Sequence, residues 1–170
     1  MKNQESKSIP KFEGHSPCVD MWYGLHIPKL VLSPRRWTID GKMESPDGAF
    51  LSDRSDIVLT RPIDPIQMAV SARKALTMSK QFGKKIPPLP PSFRDMFEIS
   101  DTDHLFRIFQ PIIIWTHRDE TTPYVLGSTI TDMVNVDLET VSKTLSDSEL
   151  GVEILRFMKK VGRLAGASLE

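Results

Sequence analysis

Two stretches of the chain repeat apolar residues with the period of an α-helix. In the first, Asp64 can cap the helix, Pro65 suits its first helical position, and Gly83 with its neighbouring lysines suits its end. In the second, Ser146 or Ser148 can cap the start. Its apolar stripe consists of Leu150, Ile154, Phe157, Met158, Val161 and Leu164. The pattern therefore predicts two long amphipathic helices.

Other stretches are rich in the apolar residues typical of β-strands. Met21 to Leu32 contains aromatic and β-branched residues, but Gly24 and Pro28 interrupt it, which predicts a short, irregular edge strand. Residues 105–115 combine alternation with an apolar run, which predicts one long bent strand, or two short ones, near the centre of a sheet. Residues 124–130 predict a further strand.

The stretch from Trp37 to Leu51 predicts a β-hairpin. Its first half alternates as a strand does, and "GAFLSD" can form the returning strand. Between them, Ser45 to Gly48 reads Ser-Pro-Asp-Gly, which fits a type I turn at every position. A calcium loop would need a longer series of oxygen ligands and a closing Glu. We therefore interpret the two Asp-Gly pairs as residues that form turns rather than as a binding site.

Together these elements predict one α+β domain. We expect a mostly antiparallel sheet of four to six strands with two or three packed helices, the third a short helix at 135–145. Residues 1–17 are polar and without periodicity, which predicts a flexible N-terminal arm before a single globular domain at 18–170. A chain of 170 residues is long enough to bury a sizeable core.

The charge balance argues against long-range attraction to nucleic acid or lipid. Lys plus Arg and Asp plus Glu both number 22, so such binding would need a local basic patch. The single Cys18 excludes an internal disulfide and fits a reducing compartment. The longest apolar run, Ile112 to Trp115, is far shorter than the ~20 residues that span a bilayer, and the first residues lack a secretory core. We predict an intracellular protein that is not secreted and has no transmembrane segment.

Few residues suggest catalysis or metal binding. His104 and His117 lie near acidic residues, but in two loops that flank a strand rather than on one helix face. The acids in question are Asp101, Asp103, Asp119 and Glu120. Cys18 and His15 lie close in sequence, but we expect both to sit in the flexible arm, where nothing would hold a nucleophile against its base. We predict a non-enzymatic protein without metal or cofactor; an enzyme that uses the two histidines is a third alternative.

Two groups of basic residues could contact the phosphates of RNA or of lipid headgroups. Lys80, Lys84 and Lys85 follow the first predicted helix. The second group lies on the last helix and consists of Lys159, Lys160 and Arg163. The alternative for the second group is a core-packed helix whose end carries complementary charge. Both groups remain candidate contact surfaces.

The stretch from Ile86 to Phe93, "IPPLPPSF", cannot be helical. Its four prolines give two overlapping Pro-x-x-P spacings and predict an extended, partly polyproline II conformation. They are Pro87, Pro88, Pro90 and Pro91. This segment could dock in an aromatic groove of a partner, or serve only as a rigid connector.

The segment from Trp37 to Trp115 resembles the core of rhabdovirus matrix proteins. In that family an Ile-Asn-Gly-basic strand leads to a Ser-Pro-Asn-Gly-aromatic turn, and "IDGKMESPDGAF" is similar. The strand and Ala/Val-rich helix that follow in the family resemble "IVLTRPIDPIQMAVSARKAL", and the Gly-Lys-x-Pro-Pro segment of some members resembles "GKKIPPLPPSFRDMF". The strand that follows in the family resembles "FRIFQPIIIW". The chain lacks the Pro-Pro-x-Tyr motif that many animal-virus members carry.

The resemblance implies a viral structural protein that self-associates and bridges the ribonucleoprotein to a membrane during virion assembly. Its partners would be further copies of itself, the viral nucleoprotein–RNA complex and an anionic membrane surface, with a host protein at the Pro-rich segment. It would be found in the virion and the host cytoplasm, peripherally associated with membrane. The alternative is a small intracellular interaction module or effector that binds a host protein through the Pro-rich loop.

Overall fold

The computed structural model describes residues 9–11, 16–37, 56–81, 97–130 and 135–164. Its strands are β1 (Cys18–Gly24), β2 (Lys29–Pro34), β3 (Arg36–Trp37), β4 (Ile57–Thr60), β5 (Lys80–Gln81), β6 (Phe109–Trp115), β7 (Tyr124–Ile130) and β8 (Asn135–Val141). Its helices are α1 (Pro65–Met78), α2 (Thr102–Ile108) and α3 (Asp147–Leu164).

Six of the strands form one antiparallel sheet in the order β4-β2-β1-β6-β7-β8. The remaining two, β3 and β5, pair in parallel as a separate small sheet. Alternate residues of a strand point to opposite faces, so each strand of the large sheet has side chains on both sides of the sheet. The predicted α+β class, with a mostly antiparallel sheet and packed helices, is confirmed.

The larger core lies between one face of the sheet and the helices α1 and α3. In β1 this face carries Val19, Met21 and Tyr23, which pack with Met68 of α1 and Phe157 of α3. The opposite face carries a second cluster, where α2 covers the end of the sheet. That cluster consists of Trp22, Val31, Ile99, Leu105 and Phe109. The helix pair α1–α3 therefore covers one face of the sheet, and α2 packs on part of the other.

The helices α1 and α3 approach closely at Gly151. A Cβ atom at this position would overlap the carbonyl oxygen of Pro65, so only glycine permits the contact. Further along α1, Arg73 forms an ion pair with Asp147, the first residue of α3, and its Nη2 donates to the Leu145 carbonyl at 2.9 Å. The two helices therefore run roughly antiparallel, with the residues before α1 next to the middle of α3.

The start of α1 is capped as the sequence predicts. The Asp64 carboxylate accepts a hydrogen bond of 3.0 Å from the Gln67 backbone N–H, and Pro65 occupies the first turn. We expect Asp64→Ala to lower the free energy of unfolding by about 1 kcal/mol, because a helix N–H loses its acceptor. Asp64→Ser should retain most of the stability. Urea unfolding followed by circular dichroism measures both, and equal losses in the two variants would contradict the capping role.

The predicted C-terminal helix is also confirmed, with Ser146 as its cap. Ser146 Oγ accepts from the Glu149 N–H at 3.2 Å, and Glu149 Oε2 accepts from the Ser146 N–H at 2.9 Å. The predicted apolar stripe is buried at Leu150, Ile154, Phe157, Met158 and Val161. The Leu164 side chain lies outside the described residues.

Several predicted elements were wrong. Met21 to Leu32 is not one edge strand: it contains parts of β1 and β2, and β1 lies between β2 and β6 within the sheet. Residues 105–108 belong to α2, although residues 109–115 do form a central strand. Residues 135–141 form the edge strand β8 rather than a helix, because Tyr124–Ile130 offers them a complete antiparallel partner. For β1, β2 and β8, pairing between strands decided the structure.

The first helix also ends earlier than predicted. Its last residue is Met78, and Ser79 caps it through a backbone N–H that donates to the Ala75 carbonyl, so Gly83 does not end the helix. Most of the predicted hairpin at 37–51 and the Pro-rich segment lie outside the described residues. None of the helices within the described ranges is long and apolar enough to cross a membrane.

Candidate functional site

A cavity of about 420 Å³ opens between the β1–β2 turn, the residues before α1 and the middle of α3. It is lined by Tyr23, Pro28, Arg61, Pro62, Ile63, Leu155 and Lys159, and we call it the Arg61 pocket. Most of these side chains are apolar or aromatic, and two are cationic. An apolar cavity with a few charged groups is the usual form of a binding site for an organic ligand.

The Arg61 side chain is held in place by the β1–β2 hairpin. Its Nη1 donates to Tyr23 Oη at 2.6 Å, and its Nη2 donates to the Ile27 carbonyl at 2.8 Å. The guanidinium carbon also lies 4.6 Å from the centroid of the Tyr23 ring, within the range of a cation–π interaction. The Arg61 backbone N–H donates to the Pro28 carbonyl at 2.9 Å. A ligand would therefore meet a guanidinium that is already ordered, which lowers the entropy lost on binding.

The turn that holds Arg61 depends on Gly24. A Cβ atom built at Gly24 would overlap the Ile27 carbonyl oxygen and lie 2.7 Å from the Lys29 carbonyl oxygen. Glycine thus permits the tight approach that aims the Ile27 carbonyl at Arg61. The glycine that predicted an interrupted strand is instead the residue that lets the hairpin close.

The two cations of the pocket have no carboxylate partner among the described residues. This distinguishes Arg61 from Arg35 and Arg73, which pair with Asp20 and Asp147. In addition, the buried Nε of Arg61 has no hydrogen-bond partner within the described part of the chain. A half-buried guanidinium without a counter-charge attracts an anion, because the apolar lining weakens screening by water.

A second cavity, of about 550 Å³, lies near the start of β7. Its cations are already engaged: Arg73 pairs with Asp147, Arg118 donates to the Ser79 carbonyl, and Lys143 donates to the Asp119 carbonyl. Its lining also includes the carboxylates of Asp119 and Glu120. We therefore place the candidate site at the Arg61 pocket.

The predicted basic group on the last helix is divided by the structure. Lys159 is exposed and lines the Arg61 pocket. Lys160 instead forms ion pairs with Asp137 at 3.0 Å and Glu139 at 3.3 Å, and hydrogen bonds to these two carboxylates raise its pKa. The Arg163 side chain lies outside the described residues. Lys159 and Lys160 thus have different surroundings.

The other predicted contact residues are described only in part. The backbone of Lys80 pairs with Arg36 in the small parallel sheet, but its side chain is outside the described part of the structure. Lys84, Lys85 and the four prolines of the Pro-rich segment fall in the undescribed range 82–96. Their roles stay predictions.

His104 and His117 are not brought together, since one precedes β6 and the other follows it. His104 Nδ1 lies 3.2 Å from the Ser100 backbone N, so the ring closes the turn before α2. His117 Nδ1 lies 4.0 Å from Asp119, whose pKa hydrogen bonds from Thr122 lower to about 2. No group of three or more His, Cys, Asp or Glu residues in the described ranges could hold a metal ion.

The interpretation that Cys18 sits in the flexible arm was wrong. Cys18 is fully buried as the first residue of β1, where burial raises the pKa of its thiol. Its N–H donates to Ser79 Oγ at 3.0 Å. Because a thiolate is the reactive form of cysteine, this thiol is unreactive in the folded protein.

Comparison with known proteins gives a fold but no function. No protein-family model matches the chain, and no curated protein matches it. The chain is similar to the solved structure of a protein of unknown function from Neisseria meningitidis, with 13% identity and a TM-score of 0.51. The match covers 92% of this chain and 97% of that one. At this identity the likeness concerns the fold alone.

The sequence analysis missed the Arg61 pocket. Its cations come from two positions far apart in the chain, Arg61 and Lys159, and its ring comes from Tyr23. No motif joins residues at such distances. The one local signal is that Arg61 stands alone between the strand "IVLT" and two closely spaced prolines.

Proposed function

We propose that this chain is a non-enzymatic binding protein that recognises a carboxylate-bearing ligand in the Arg61 pocket. The observation that carries the proposal is an ordered guanidinium with no carboxylate partner among the described residues, set in an apolar cavity with Lys159 at its rim. Arginine pairs with a carboxylate in a planar, two-point geometry, and such hydrogen bonds are about twice as strong as neutral ones.

The lining favours a carboxylate over a phosphate. Phosphate sites are typically built from several backbone N–H groups at a helix N-terminus or a glycine-rich loop. In this pocket two of the lining residues are Pro28 and Pro62, which have no N–H to offer. A compact anion with an apolar body matches both the charge and the surface.

This function belongs to the same class as the interaction-module alternative from the sequence, but it moves the contact from the Pro-rich segment to the Arg61 pocket. The matrix-type function, with its viral partners and virion location, stays a prediction from the resemblance.

The proposal is tested with 4-phenylbutyrate and its neutral analogue 4-phenylbutyramide. In an NMR titration of the ¹⁵N-labelled chain, the carboxylate should bind with millimolar affinity and shift the resonances of Arg61 and its neighbours. Arg61→Gln should weaken binding at least tenfold, or about 1.4 kcal/mol, because the charged donor is lost. The amide should bind no better to the wild type than to this variant.

An exposed arginine elsewhere serves as the control. Arg107→Gln on α2 removes the same charge from an exposed residue that does not line the pocket, and should leave binding unchanged. Arg61→Lys should keep part of the affinity, since the positive charge remains but the two-point geometry does not. If the amide binds as tightly as the carboxylate, or if Arg61→Gln binds like the wild type, the proposal is wrong.

A further inference from the structure

Three exposed apolar side chains lie on the helix pair beyond the Arg61 pocket. Ile66 and Val70 of α1 are 52% and 49% exposed, and Val152 of α3 is 50% exposed. We call these three residues the apolar strip. Single exposed apolar residues are common on protein surfaces, so the question is whether these three form one surface with the pocket.

The helix crossing joins the strip to the pocket. Pro65 and Gly151 are in backbone contact, and Ile66 and Val152 are the residues that follow them. On α3, Val152 lies three residues before Leu155 and seven before Lys159, so the three side chains share one face of the helix. Leu155 and Lys159 line the pocket. The strip therefore continues the lining of the pocket along the outer surface of α1 and α3.

We infer that the Arg61 pocket and the apolar strip together form a docking surface for an extended segment of a partner protein. The segment would place an Asp or Glu side chain against Arg61 and apolar side chains on Ile66, Val70 and Val152. A small molecule confined to the cavity would leave the strip in water, whereas a peptide covers both parts. This inference rests on the proposed function, because the acidic residue is the carboxylate of that ligand.

The charges around the surface determine the chemistry of the partner. Arg156 and Lys160 on α3 are already paired, with Glu139 and Glu153 and with Asp137 and Glu139. Among the described cations that line this surface, Arg61 and Lys159 have no carboxylate partner. A segment with one or two carboxylates and apolar neighbours complements this arrangement.

The test begins with a random-peptide display selection on the full chain. The selected peptides should share an acidic residue flanked by apolar residues. A fluorescent copy of the strongest peptide, measured by polarisation, should lose at least tenfold in affinity with Arg61→Gln. It should lose as much with the triple change Ile66→Ser, Val70→Ser and Val152→Ser. Leu138→Thr is the matched control: its side chain is 38% exposed on β8, and it should leave affinity unchanged.

The outcomes separate this inference from the proposed function. If 4-phenylbutyrate still requires Arg61 but the peptides bind equally well to the triple variant, the pocket binds small molecules and the docking surface is wrong. If sedimentation shows that the strip instead holds two copies of the chain together, the inference is also overturned. If neither 4-phenylbutyrate nor any acidic peptide depends on Arg61, the proposed function fails as well.

Discussion

A Gly151→Ala variant is expected to unfold with a free energy about 2 kcal/mol below that of the wild type. The added methyl group would overlap the Pro65 carbonyl oxygen, which is backbone and cannot rotate away as a side chain could. Fitting the extra methyl group would force the helices apart, and such overpacking lowers stability by about 3 kcal/mol. The higher helix propensity of alanine regains about 1 kcal/mol of this loss. Urea unfolding followed by circular dichroism measures the difference.

The neighbouring position provides the comparison for this variant. Val152→Ala changes an exposed residue of the same helix and should alter stability by less than about 0.5 kcal/mol. Gly151→Ala should also weaken 4-phenylbutyrate binding, because Leu155 and Ile63 line the pocket from the two elements that must separate. Unchanged stability in Gly151→Ala would mean that the helices are not in contact at this residue.

The helices α1 and α3 could be predicted because their information is local. The Asp64–Pro65 start and the stripe from Leu150 to Val161 are set by spacing within one element. The helix contact that requires Gly151 is different, since glycine inside a helical pattern predicts only lower helix propensity. The identity of the residue that glycine accommodates, Pro65, is known only from the packed structure.

The missed strand β8 depends on pairing that is not local, whereas the missed helix α2 has an ambiguous apolar pattern. In β8, Asp137 and Glu139 lie on the face that meets α3, where Arg156 and Lys160 balance their charge. The β8 sequence alternates polar and apolar residues as a strand does, but the same residues also fit a helical pattern of similar length. In α2 and at the first residue of β6, burial of Leu105 and Phe109 fits both a helical spacing of four and a strand-like alternation, so the apolar pattern could not decide between them.

Replacing only one partner of the Asp20–Arg35 ion pair should lower the free energy of unfolding more than any other change described above. Arg35 donates to both carboxylate oxygens of Asp20 at 2.7 Å, and the side chains are 17% and 8% exposed for Arg35 and Asp20. Arg35→Met keeps much of the side-chain volume but leaves a buried carboxylate without its cation. We expect a loss of about 3–5 kcal/mol near pH 8, measured by urea unfolding.

The pH dependence of that loss identifies its cause. Burial raises the pKa of Asp20 in the folded protein, and the charge and hydrogen bonds of Arg35 oppose this rise. A group with a raised folded pKa makes stability fall as pH increases from its unfolded pKa, about 3.9, to its folded pKa. Without Arg35 the folded pKa is higher still, so the additional loss extends to higher pH. The deficit of Arg35→Met should therefore shrink between pH 8 and pH 5, as Asp20 takes up a proton.

The double variant Asp20→Asn with Arg35→Met separates charge from packing. It removes the buried negative charge as well as the cation, and should recover a large part of the stability at pH 8. Its pH dependence should be flatter than that of Arg35→Met, because residue 20 no longer titrates. If both variants lose the same stability at every pH, the cost lies in the packing of the Arg35 side chain, and Asp20 is not a buried charge that requires a partner.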